Sequence, residues 1–187
     1  MKTRNSALTG ERGFTLIEIL LVVAIGGTLT GMAFAIFPSF LRAARADSGI
    51  TVAVETLRTA RETAISQRRN VEIRFLGTDV IQTARQNIPA GTTVLRTVQF
   101  ENRVQFLKPI ATDTPDAFGN PNPVSFGISA TRMFTSEGTL VDANGDVMNG
   151  TLFLAIPNDR NSARAITVFG TTGMMRVWRW DGVKWVE

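Results

Sequence analysis

The chain has 187 residues, a formal net charge of +4, and neither cysteine nor histidine; disulfides and thiol chemistry are excluded, and the usual general base and commonest zinc ligand are missing. Hydrophobic residues make up 44%, too many for a disordered chain and too few for a polytopic membrane protein. Lysine occurs only at positions 2, 108 and 184, and no nucleophile–base constellation is visible, so the sequence reads as a non-enzyme with no catalytic residue, metal site or cofactor.

Residues 1–13 are polar and basic, with Lys2, Arg4 and Arg12 against Glu11; without them 17 basic and 15 acidic side chains remain. From Phe14 to Phe37 follow 24 residues whose only ionisable group is Glu18. As a helix this run extends ~36 Å at 1.5 Å per residue, against a hydrocarbon core of roughly 30 Å. One transmembrane helix fits, and the preceding positive charges favour a cytoplasmic N-terminus. An ordinary secretory signal peptide, removed whole, is the competing reading. The apolar block is long for that, carries a carboxylate early, and is followed only by Ala43–Ala46 as a small-residue cleavage site.

The segment Arg12-Gly13-Phe14-Thr15-Leu16-Ile17-Glu18, ahead of the apolar run, resembles the class III signal of type IV pilins and type II secretion pseudopilins. The resemblance implies cleavage between Gly13 and Phe14 by a prepilin peptidase and N-methylation of Phe14. Glu18 then becomes the fifth mature residue and pairs with the new amine of a neighbouring subunit during assembly. Further implied partners are other pilin or pseudopilin subunits, an inner-membrane assembly platform and inner-membrane lipid. The implied location is the bacterial inner membrane, crossed once, with the C-terminal domain periplasmic and the subunit incorporated into a filament. The physics agrees with a special role for Glu18, because an intramembrane carboxylate costs on the order of 2.5–3.5 kcal/mol on insertion scales and normally has a partner. The plainer account is a Glu that snorkels to the headgroups or stays protonated. Gly26, Gly27 and Gly31 allow close helix approach or mark sites of local melting.

Pro38 ends the apolar run without having to end the helix. Over residues 38–70, Phe40, Leu41, Ala44, Ile50, Val54, Leu57, Ala60, Ala64 and Ile65 recur mostly at three- and four-residue steps, the pattern of an amphipathic helix. Arg42, Arg45, Arg58, Arg61, Arg68 and Arg69 fall mainly on its exposed faces. Arg68-Arg69 reads as a solvated helix C-terminus, where cations complement the dipole. The run Ala60-Arg61 to Ala64-Ile65, then Arg68-Arg69-Asn70-Val71, resembles the GspH/FimT branch of minor pilins and pseudopilins. That resemblance implies an α+β fold: a long N-terminal helix packed on a β-rich pilin-like domain spanning 71–187.

Within 71–187 the expected strands are Val71–Phe75, Thr93–Phe100, Val104–Leu107, Ser125–Ile128, Leu140–Val141, Val147–Met148, Leu152–Ile156, Ala165–Phe169, Met174–Trp180 and Val183–Val186, separated by turn signals. Residues 113–123 hold three prolines and read as a loop. Such a domain can bury a small two-sheet core. Asp142-Ala143-Asn144-Gly145-Asp146 lacks the spacing and closing Glu of a calcium loop and reads as a hairpin turn. Asn149-Gly150-Thr151 is a glycosylation sequon in form only. Phe134 followed four places on by Gly138 resembles a recurring feature of the same family and reads as structural.

Asp181-Gly182 predicts a terminal hairpin. Alternation puts Arg176, Trp178 and Trp180 on one face of its first strand and Val177 and Arg179 on the other. With Lys184, these residues form a candidate surface for DNA, by stacking and phosphate contact. FimT-like DNA receptors carry a G-R-x-R motif near this terminus; here Gly173 and Arg176 match, and Met174 replaces the first Arg. The bland account is that the tryptophans cover the β core. The sequence therefore predicts a structural minor pilin or pseudopilin at or near a filament tip, in a type IV pilus or a type II secretion system, with DNA capture as the second reading.

Overall fold

The structure, a computed structural model, describes residues 14–110, 114–118, 122–127 and 131–187. Its architecture is α+β. A single helix, α1, runs Leu16–Gln67 with Pro38 inside it. The chain divides into two compact units, Met1–Phe40 and Leu41–Glu187.

In the first unit, α1 opens on Thr15, whose carbonyl and hydroxyl oxygens both accept the Glu18 N–H, at 3.1 and 3.3 Å. Thr15 followed three places on by Glu18 is the residue pattern of a capping box. Leu16, Ile17, Leu20, Leu21, Val22, Val23 and Leu29 are all exposed, and the segment is long and apolar enough to cross a membrane. Its hydroxyls are satisfied internally, Thr28 Oγ1 donating to Ile25 O at 2.8 Å and Thr30 Oγ1 to Gly26 O at 2.7 Å, as an apolar surround requires.

The second unit holds eleven strands among the described residues: β1 Val71–Leu76, β2 Val80–Gln86, β3 Thr92–Gln99, β4 Gln105–Phe106, β5 Val124–Ser125, β6 Met133–Phe134, β7 Leu140–Val141, β8 Gly150–Ile156, β9 Asp159–Phe169, β10 Met174–Trp180 and β11 Trp185–Val186. They form two antiparallel sheets, one ordered β3-β2-β1-β6-β7 and the other β11-β10-β9-β8-β4, with β5 also on β8. From α1, Ile50, Ala53, Val54, Leu57, Ala60 and Ala64 are buried at helical spacing. They share one core with Val71, Ile73 and Ile81 of the first sheet and Leu152, Leu154, Ile166 and Val168 of the second. The far face of the second sheet carries a smaller core of Ile110, Phe153, Ala163, Ala165, Trp180 and Trp185.

Several sequence-derived strand assignments need correction. Val80–Gln86 is a full strand that alternation missed, because Thr83 and Ala84 are both buried beside a register shift between them. Met133–Phe134 pairs with both Val71–Glu72 and Leu140–Val141 but is too short to show a period. Val147–Met148 is no strand; Val147 makes a single bridge to Val141. Between them the Asn144-Gly145 turn forms as expected, with Asp142 Oδ1 accepting the N–H groups of Asn144 and Asp146 at 2.8 and 3.0 Å. β9 begins six residues before the expected Ala165, since Arg160, Asn161 and Arg164 hid its start. Arg61 is half-buried rather than solvated.

Candidate functional site

Two regions carried functional expectations, the N-terminal motif and the terminal hairpin. In the first, Gly13 lies outside the described residues, while Phe14 is exposed and Glu18 occupies the first turn of α1. A carboxylate at that position gains about 0.3–1 kcal/mol from the helix dipole, and the roughly 2.5–3.5 kcal/mol insertion cost, which holds at the centre of a span, is an upper bound for an acid in the first turn. Gly26, Gly27 and Gly31 are helical, and a Cβ on any of them would meet nothing within 4 Å among the described residues. Each costs about 0.8–1.0 kcal/mol of helix propensity relative to alanine, and nothing among the described residues returns it.

In the second region, β10 pairs along its length with β9, Arg176 opposite Thr167 and Arg179 opposite Arg164. Arg176, Trp178 and Trp180 point to the far face of the sheet, over which residues 114–118 lie. There Asp116 organises a network. Its Oδ1 accepts from Arg176 Nη1 at 3.2 Å and its Oδ2 from Thr167 Oγ1 at 2.6 Å, while Trp178 Nε1 donates to Thr167 Oγ1 at 2.9 Å. The Arg176 guanidinium also lies 5.1 Å from the Phe169 ring centroid, and Phe118 meets that ring edge-on at 4.9 Å. Trp180 is buried and packs edge-to-face on buried Trp185 at 5.4 Å. Arg179 faces the opposite side and is exposed, as is Lys184 in the turn. Asp181 caps that turn, and the N–H groups of Lys184 and Val183 hold its carboxyl below the usual carboxylate range. The five candidate residues thus split among a hydrogen-bonded network, a small core, the opposite face and a turn. They do not form one open stacking platform.

Three further positions escaped the sequence reading. Asp116 sits in the proline-rich loop, where nothing marks it as a partner of β9 and β10. Arg164, on the α1 side of β9, is 2% exposed and donates from Nε to Asp47 of α1 at 2.6 Å. Arg61 donates from Nε to Gly138 O at 3.1 Å and from Nη2 to Thr172 O at 2.9 Å, clamping two turns onto the helix. Gly138 and Gly173, at φ +83° and +64°, make room for it; a Cβ on Gly173 would overlap Arg61 Nε and Gly138 O. The glycine of the partial G-R-x-R match therefore has a packing reason of its own.

Residues 8–34 match the family described as the prokaryotic N-terminal methylation motif. The chain carries that motif. The methylation motif spans the Gly13-Phe14 junction, Glu18 and all three glycines, and ends inside the apolar stretch of α1. No curated protein matches the chain. Among solved structures, the type IV minor pilin FimU of Pseudomonas aeruginosa aligns at 16% identity over 80% of this chain and 96% of its own, with a TM-score of 0.48. The minor pseudopilin EpsH from the Type 2 Secretion System of Vibrio cholerae aligns at 12% identity over 74% of this chain and 97% of its own, with a TM-score of 0.49.

Proposed function

We propose that this protein is a structural subunit of a pilin-type filament, made as a precursor, cut between Gly13 and Phe14, methylated at Phe14 and held in the inner membrane by the apolar part of α1 until assembly. The observation that carries the reading is the methylation motif over residues 8–34 with Glu18 as the one ionisable group from Phe14 to Phe37. Cleavage creates a cationic amine at Phe14. Between neighbouring subunits that amine and the Glu18 carboxylate neutralise each other, so the acid's cost in the bilayer falls on assembly. Gly26, Gly27 and Gly31 let helices of adjacent subunits approach closely, which returns their propensity cost outside the chain. The C-terminal domain faces the periplasm, and the filament is a type IV pilus or a type II secretion pseudopilus, with this subunit at or near its tip.

The test is Glu18→Ala expressed in cells. The variant is expected to be processed and to accumulate normally, yet to be at least about tenfold depleted from sheared filaments or cross-linked subunit complexes, the ratio that ~1.4 kcal/mol of lost pairing produces. Normal incorporation refutes the pairing. DNA capture by Arg176, Arg179, Trp178, Trp180 and Lys184 is the less favoured reading, because Asp116 and Thr167 already engage Arg176 and Trp178 and Trp180 is buried.

A further inference from the structure

We propose that the end of the Leu41–Glu187 unit nearest in sequence to the apolar run is a cationic face that binds the headgroups of anionic phospholipids. The inference rests on the membrane reading above and deepens it by naming the lipid class.

Within this unit, four turns gather around residues 42–49 of α1. The β8–β9 turn is tied there by Arg42 Nε to Asp159 Oδ2 at 3.1 Å, and the start of β9 by Arg164 to Asp47. The turn at 101–103 arrives because Val104 packs on Gly49. It brings the β1–β2 turn with it, since Phe100 N–H donates to Asp79 O at 2.8 Å. The β10–β11 turn is placed at the same end by the register of Arg179 with Arg164.

The charges at this end are unequally committed. Asp47 and Asp159 are in the ion pairs just named. Asp79 accepts from Gln99 Nε2 at 3.0 Å, and Asp181 accepts two backbone N–H groups of its own turn. Against these, Arg45, Arg103, Arg160, Arg179 and Lys184 are exposed and enter no ion pair among the described residues. Glu101 is the one carboxylate of this end that no described group engages. Among the described residues, five uncommitted cations of this end therefore face one uncommitted acid. Chain length supplies the second half of the argument. From Phe37 to Arg42 the chain passes through Pro38, Ser39, Phe40 and Leu41, a path that cannot exceed about 18 Å even fully extended. A membrane holding the apolar run therefore keeps Arg42 within about 18 Å of the hydrocarbon edge, of which the headgroup layer itself takes up roughly 5–8 Å. Juxtamembrane basic groups are drawn to anionic lipid within roughly a Debye length of the surface, and a zwitterionic surface offers them no net field. An acidic face of a neighbouring subunit is the rival occupant.

The experiment is hydrogen–deuterium exchange on the full chain in nanodiscs of phosphatidylcholine alone or of phosphatidylcholine mixed with phosphatidylglycerol. The turns at 101–104, 157–161 and 181–184 are expected to exchange several-fold more slowly in the anionic discs. Raising NaCl to about 1 M, where the Debye length falls to about 3 Å, should abolish the difference. The triple variant Arg103→Glu, Arg160→Glu, Lys184→Glu should also abolish it while leaving exchange in β8 and the second half of β9 unchanged; should the variant unfold, the salt series on the unaltered chain still decides. Equal exchange in both lipids overturns the proposal, as does protection that follows protein concentration rather than lipid charge, which would indicate a neighbouring subunit. Protected amides from Phe14 to Phe37 in both discs would leave the membrane reading standing in that event; free exchange there would sink both.

Discussion

Replacing Asp47 by Ala removes the carboxylate partner of Arg164 and leaves a guanidinium that is 2% exposed with two backbone acceptors, Asn161 O at 3.1 Å and Ala163 O at 3.0 Å. Stripping one partner from a fully buried ion pair costs about 3–5 kcal/mol. Here Asp47 is itself 56% exposed, so water can reach the vacated position and the cost falls toward that of a charged hydrogen bond, about 1.5–3 kcal/mol. For a chain of this size a loss of ~2 kcal/mol lowers Tm by about 4–8 °C. Arg164→Met should behave differently. It removes the buried charge and frees Asp47 to the solvent it already touches, but it also takes the donor from Asn161 O and Ala163 O, so the expected loss is about 1–3 kcal/mol. The assay is thermal unfolding of the detergent-solubilised chain, followed by far-ultraviolet circular dichroism, for Asp47→Ala, Arg164→Met and the double variant. The double variant should resemble Arg164→Met, because with the guanidinium gone Asp47 has little left to stabilise. A melting temperature for Asp47→Ala within 1 °C of the unaltered chain refutes this reasoning, as does a double variant clearly less stable than Arg164→Met.

Gly173→Ala forces a side chain into a positive-φ position against Arg61 and Gly138 O; the left-handed backbone alone costs about 1–2 kcal/mol, so a loss of at least that size is expected by urea denaturation. Trp180→Ala should cost about 3–5 kcal/mol as a buried aromatic, whereas Arg179→Ala, exposed on the other face, should fall within about 0.5 kcal/mol of the parent in the same assay.

The helix and the sheet-rich domain were legible in the sequence because their signals are local and repeated. Ile50, Val54, Leu57, Ala60 and Ala64 keep helical spacing and are buried, although Phe40, Leu41, Ala44 and Ile65 of the same series are exposed, and Val71-Glu72-Ile73-Arg74-Phe75 alternates cleanly. Pro38 was correctly discounted as a helix terminator, since α1 continues through it. The failures have physical causes. β2 was invisible because buried Thr83 and Ala84 straddle a register shift, which breaks the period of two. β6 is two residues long, shorter than any period. At the terminal hairpin, alternation correctly put Arg176, Trp178 and Trp180 on one face, but the value of that face depends on what covers it. The cover is Asp116, about sixty positions earlier in a loop whose composition announces only irregular backbone. Arg164 carries no local signal either, since an arginine in a strand reads as solvated until the helix that supplies Asp47 is in place.

The central claim is that a precursor is cut between Gly13 and Phe14 and keeps its apolar helix. Intact-mass and N-terminal peptide mass spectrometry on protein extracted from membranes tests this most directly. The expected result is a mature chain that begins at Phe14, carries one methyl group on its α-amine and retains Glu18 and the apolar run. An intact chain beginning at Met1, or a mature chain beginning after Ala46, would contradict the account.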